Sequence, residues 1–145
     1  ILVALRDPRD ACLSCYMQHF EMNAAMAHFL ALEDTAKYYA SVMDLWLHYR
    51  KNISLNAMEF RYEDIIDDLE GKAAELLDFI GLDWDPQVLK FNESARQRLV
   101  HTPSYQGVVK PIYRSSIGRW KNYHRQLETI TPHLEPYLQA FGYPE

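Results

Sequence analysis

A guanidinium at Arg6 and a hydroxyl at Ser14, eight positions apart, are side chains suited to gripping a phosphate. A guanidinium fork donates two parallel N–H bonds to an oxyanion, and a hydroxyl adds one more. Asp7, Asp10 or Ala11, and Ser14 share one face of a helix by the i, i+3/i+4, i+7 rule. The plainer alternative is that Arg6 pairs with Asp10 and Ser14 is a neutral helix residue.

The elements that must position these groups lie on either side of Arg6. Ile1 to Leu5 is a short apolar run that reads as a buried strand. Asp7 then fits an N-cap, Pro8 the first helical position, and Asp10 the third, in a capping-box arrangement with Asp for the usual Glu or Gln. The helix is expected to run through Ala11, Leu13, Tyr16, Met17 and Phe20. A strand ending directly in a capped helix is half of a βα unit, and its helix N-terminus favours anions. Arg6 stands at the strand's end, where open α/β sheets form their ligand crevices.

Strand, Arg6-Asp7-Pro8-Arg9-Asp10, helix, and Ser14 at +8 together resemble the 3′-phosphate-binding segment of the sulfotransferase family. That family uses 3′-phosphoadenosine 5′-phosphosulfate (PAPS) as sulfuryl donor. The resemblance implies that Arg6 and Ser14 hold the 3′-phosphate of PAPS or of its product, adenosine 3′,5′-bisphosphate, with no metal.

Further along, residues 22–51 read as helical, and within them Ala36, Tyr39, Val42 or Met43, Trp46 and Tyr49 form an apolar stripe expected to pack in the core. A second βα unit follows: a strand from Leu55 to Phe60, then a helix from about Leu69 to Ile80 closed by Gly81. Strands alternating with helices indicate a parallel sheet. Arg61-Tyr62-Glu63-Asp64-Ile65 resembles the family's tyrosine-glutamate-aspartate-aliphatic segment, which makes Tyr62 a nucleotide-site candidate. The alternative has Tyr62 capping the sheet while Arg61, Glu63 and Asp64 pair locally. Trp84 is expected to pack on the preceding helix, and Pro86 to start a short helix to Phe91. Residues 101–113 read as a loop, followed by helices near 123–127 and 131–141.

Arg114 to Asn122 (RSSIGRWKN) resembles the C-terminal nucleotide motif of cytosolic sulfotransferases, with departures. Ser115 replaces the first glycine and Arg119 the aspartate. The form is closer to bacterial and tyrosylprotein sulfotransferases, where a basic residue precedes the Trp and an upstream serine joins the site. Ser104 is the nearest match for that serine. The resemblance thus adds Ser104, Arg114 and Arg119 as cofactor-binding candidates. The expected fold class is α/β, helix-rich, the C-terminal part of a P-loop-type parallel sheet with flanking helices.

Composition narrows the classes. The 145 residues are 48% apolar and 13% aromatic, one globular domain's worth. No apolar run is long enough for a spanning helix. Cys12 and Cys15 form a C-x-x-C within a helix, without the setting for redox chemistry or the further ligands for zinc, and read as small apolar residues. His19, His28 and His48 share no ligand spacing. Nothing asks for an oxidising compartment, and the expected location is cytoplasmic. Net charge is −5, yet Ser94 to Leu127 holds seven basic residues and no acidic one, against eight basic and twenty acidic elsewhere. Such a stretch in an acidic protein is a candidate anion site, not a nucleic-acid surface.

None of the five glycines belongs to a G-x-x-x-x-G-K-[ST] loop. By the resemblance, the loop for the 5′-phosphosulfate and the general base are expected upstream of Ile1. No catalytic residue is therefore assigned, His101 and His124 being weak candidates, and the isolated chain is expected to be inactive. The expected partners are the nucleotide and an acceptor hydroxyl or amine. Two other readings stay open: a fragment of a phosphoryl-transferring P-loop kinase, and a non-catalytic helical module that meets a protein partner.

Overall fold

The computed structural model describes residues 1–96 and 113–144. Strand β1 (Leu2–Leu5) pairs in parallel with β2 (Met58–Arg61), Leu2 opposite Met58 and Leu5 opposite Arg61. Each strand leads into a helix, α1 (Pro8–Met17) after β1 and α3 (Tyr62–Asp67) after β2. The remaining helices are α2 (Leu32–Asn52), α4 (Leu69–Ile80), α5 (Phe91–Arg96), α6 (His124–Leu127) and α7 (Thr131–Ala140). Short 3₁₀ turns cover Met26–Leu30, Pro86–Lys90 and Arg119–Tyr123. The fold is thus helix-rich α/β, with a two-stranded parallel sheet among the described residues.

Local chemistry fixes several boundaries. The Asp7 carboxylate accepts the Arg9 N–H at 2.9 Å, and Pro8 takes the first helical position. Asp68 caps α4 through the Gly71 N–H. Gly81 ends α4 at φ 75°, with the Leu82 N–H returning to the Leu77 carbonyl. This left-handed stop is strained for residues bearing a Cβ, which is why glycine closes the helix.

Other expectations need correction. Helix α1 ends at Met17, short of Phe20, and Gln18 is already extended. Of residues 22–51, all read as helical, α2 takes Leu32–Asn52 and a 3₁₀ turn takes only Met26–Leu30, with Ala31 extended between them. Strand β2 begins at Met58 rather than Leu55, where the ladder pairing with Leu2 begins. Helix α7 stops one residue before Phe141. Along α2, Ala36, Tyr39, Met43 and Trp46 do face the core, whereas Val42 and Tyr49 are 43% and 41% exposed. Trp84 is 40% exposed.

The core gathers around the C-terminal helix. Leu5 packs with Tyr137, Leu138, Phe141 and Tyr143, backed by Tyr39, Met43 and Trp46. Cys12 and Ala36 pack with Leu127, Ile130 and Leu134, and Tyr39 borders both groups. The Cys12 thiol is part of this apolar filling, and burial pushes its pKa up. Helix α7 therefore clamps β1, α1 and α2 together and fixes the strand–helix junction at Arg6.

Candidate functional site

The junction is built around four charged residues of the Arg6–Asp10 segment. Arg9 and both aspartates are buried, and Arg6 is half-buried. Arg9 holds Asp7 in a fork, Nε to Oδ1 at 3.0 Å and Nη2 to Oδ2 at 2.8 Å, and also donates to the Pro144 carbonyl. Its guanidinium lies 3.7 Å over the Trp120 ring. Two hydrogen bonds to a carboxylate and a stacked aromatic face hold this charge without bulk water. Arg9 faces inward because it shares a helix face with Cys12 and Leu13, both in the interior.

Asp10 departs from the capping-box expectation. Its oxygens accept the Gly118 and Trp120 N–H groups, each at 2.7 Å, rather than turning back to Asp7. The Asp7 N–H is taken instead by Glu63 at 3.0 Å, from the segment after β2, whose other oxygen accepts the Tyr143 hydroxyl at 2.9 Å. Burial raises the Asp10 carboxyl above its usual range, against the pull of the two N–H donors and of Arg6. Gly118 sits at φ 66°, the left-handed turn that lets its N–H and that of Trp120 converge on one carboxylate.

Arg6 does not pair with Asp10. Its Nη2 donates to the Ser116 carbonyl at 2.6 Å, and its guanidinium lies 5.3 Å from the centre of the Tyr62 ring. Its Nε is buried and has no hydrogen-bond partner among the described residues. A buried, unmatched donor is uncommon and calls for a ligand or a solvent partner. Burial raises the pKa of the Tyr62 phenol, and the Arg6 charge opposes part of that rise. Ser14 stands one helical turn beyond Asp10, half-buried, and its hydroxyl makes no hydrogen bond among the described residues. Cys15, beside it, feels the Arg6 charge, which offsets part of the rise that burial imposes on its thiol.

The structure thus brings Arg6, Tyr62 and residues 116–120 together at the end of β1, with α1 starting beside them. The other candidates have other neighbours. Arg114 forms an exposed ion pair with Asp67 at 2.7 Å, and Arg119 donates to the Met17 sulfur at 3.3 Å. Arg61 and Asp64 do pair locally at 2.8 Å, but Glu63 does not join them. Ser104 and His101 lie outside the described residues, as do Arg98 and Lys110 of the basic stretch. Sequence reasoning missed Arg9, Asp10, Glu63 and Ser116 as the parts that assemble the junction. One signal was available, since a charged residue on the apolar face of α1 needs a buried partner.

Among the described residues, a buried guanidinium N–H without a partner thus stands at a parallel strand's end beside a helix start, in a helix-rich α/β fold. The chain belongs to the sulfotransferase family, whose model matches residues 1–86. It is also similar to a protein of Aquifex aeolicus (strain VF5) described as an uncharacterized protein, 27% identical over 141 residues. That match covers 97% of this chain and 18% of the length of the relative.

Proposed function

We propose that this chain supplies the nucleotide-binding half of a PAPS-dependent sulfotransferase, with Arg6 and Ser14 holding the donor's 3′-phosphate. When bound, PAPS supplies the sulfuryl group, which passes to an acceptor hydroxyl or amine. The two strands are then the C-terminal part of a P-loop-type sheet, and residues 1–145 one portion of a single sulfotransferase domain. The observation that carries this reading is the Arg6 Nε, buried without a partner while the same guanidinium is braced by Ser116 and Tyr62. Ser14, half-buried on α1 one turn beyond Asp10, is proposed to donate to the same anion. Tyr62 packs on the guanidinium and limits its rotation. Arg114, Arg119 and Ser104 are proposed as further contacts to the nucleotide from the basic stretch, and no metal is required.

Such residues bind and orient the donor. Sulfuryl transfer, like phosphoryl transfer, is served chiefly by positioning and by stabilising charge on the leaving oxygens. A charged hydrogen bond contributes about 1.5–3 kcal/mol. Arg6→Ala is therefore expected to weaken binding of adenosine 3′,5′-bisphosphate by about tenfold or more, while AMP binding changes little. Calorimetric titration of the full-length protein with both nucleotides makes the test. Equal affinity for the two, or an unchanged affinity in Arg6→Ala, overturns the assignment and favours the helical-module reading.

A further inference from the structure

Arg6 is not aimed by its own strand alone. Its Nη2 is held by the Ser116 carbonyl, and the backbone just beyond that carbonyl is held by Asp10 through the Gly118 and Trp120 N–H groups. Asp10 is 0% exposed. Both of its hydrogen-bonding oxygens reach a segment more than a hundred residues away, so the carboxylate makes no local cap. The chain of contacts runs Asp10, Gly118 and Trp120, Ser116, Arg6, and it ends at the side chain whose Nε has no partner. Asp10 also sits one turn before Ser14 on α1. One residue thus touches the element carrying the hydroxyl and the loop bracing the guanidinium.

We propose that Asp10 is a positioning residue that sets the site's selectivity for a 3′-phosphorylated nucleotide, by fixing residues 116–120 so that the Ser116 carbonyl holds Arg6 against the phosphate. This rests on the nucleotide reading above. A guanidinium donates through two edges and one Nε, so a carbonyl fixed at one Nη leaves the remaining donors directed at an anion. Moving the carbonyl by a fraction of an ångström turns the whole planar fork. The residue acts through the loop and touches no ligand. Its effect falls on the part of the nucleotide that Arg6 reads and leaves the remainder unaffected.

The test is a double-mutant cycle on the full-length protein, titrating adenosine 3′,5′-bisphosphate and AMP calorimetrically into wild type, Asp10→Asn, Arg6→Ala and the double variant. Asp10→Asn keeps one acceptor oxygen and loses the other. It is expected to lower the affinity ratio between the two nucleotides about tenfold with AMP affinity unchanged, and to cause no further loss once Arg6 is alanine. Equal weakening of both nucleotides, or losses that add in the double variant, marks Asp10 as merely structural and overturns the proposal. A wild type that discriminates and an Asp10→Asn that discriminates equally well also overturns it, leaving the donor reading intact. A wild type that does not discriminate overturns the donor reading and this proposal together.

A measurement on the wild type alone covers variants that fail to fold. Coupling is reciprocal, so a bound 3′-phosphate must in turn steady the loop. Amide hydrogen exchange at Gly118 and Trp120 is expected to slow with saturating adenosine 3′,5′-bisphosphate and to stay unchanged with saturating AMP. Equal exchange with both nucleotides overturns the proposal.

Discussion

The carboxylate of Asp10 accepts the backbone N–H of Trp120 at 2.7 Å across 110 positions of sequence. With the matching bond from Gly118, it fastens the segment RSSIGRWKN onto the start of helix α1. Two stretches far apart in sequence are therefore adjacent in space, joined by a side chain that a local reading assigns to capping.

Removing that fastener is expected to be costly. Asp10→Ala leaves two N–H groups without an acceptor, and charged hydrogen bonds contribute about 1.5–3 kcal/mol each. A loss of about 3–5 kcal/mol in urea denaturation is expected, with the midpoint lowered and the slope unchanged. A change below about 1 kcal/mol would show that water replaces the carboxylate fully.

The same group gives the protein a pH signature. Burial raises the folded-state value of Asp10 above its usual 3.8, with Asp7 adding to the rise and the Trp120 and Gly118 donors and Arg6 opposing it. The folded chain then binds a proton over a range where the unfolded chain has released it. This contribution to stability is full below the unfolded value and falls as pH rises through the folded one. Asparagine does not titrate, so the advantage of wild type over Asp10→Asn is expected to shrink from acidic pH toward neutrality. Paired urea melts across that range read it, and an advantage that grew with pH would show the N–H donors outweighing burial.

Arg9→Lys is not a conservative change here. Lysine keeps the charge but loses the fork on Asp7 and the flat stack on Trp120. A loss of about 1–3 kcal/mol is expected, with a shift in the near-ultraviolet signal of the half-buried Trp120 indole. A melting temperature equal to wild type would place the guanidinium's role with the charge alone.

Tyr143→Phe removes one hydroxyl from the Glu63 carboxylate, which also holds the Asp7 N–H. Tyr143 is 8% exposed, and its pKa is raised by burial and by Glu63. A loss of about 1.5–3 kcal/mol is expected, against a change within about 0.5 kcal/mol for the exposed Tyr49→Phe. Differential scanning calorimetry of the two variants side by side distinguishes the outcomes.

Where physics is local, the sequence itself determined the result. The Asp7–Pro8 start of α1 and the Gly81 stop of α4 are set by side chains within three residues of the backbone groups they satisfy or the dihedrals they permit. The two strands were legible as apolar runs, and α1 and α4 from their ends, while α3, which follows β2 at once, was not read. The family was legible too, from the resemblance of Arg6 to Ser14 and of Tyr62 to Ile65, both of which lie within the matched residues 1–86.

Tertiary structure alone decided which partner each charge took. Asp10 had a nearby cap to make and made a distant one, and Glu63 filled the vacant role from another βα unit. Met43 rather than Val42 faces inward because α7 packs on that side of α2. Apolar periodicity allowed both residues, and only the position of a helix ninety residues later distinguished them. Hydrogen-bond choice between near and far acceptors depends on which groups folding deprives of water, and that is a property of the assembled chain.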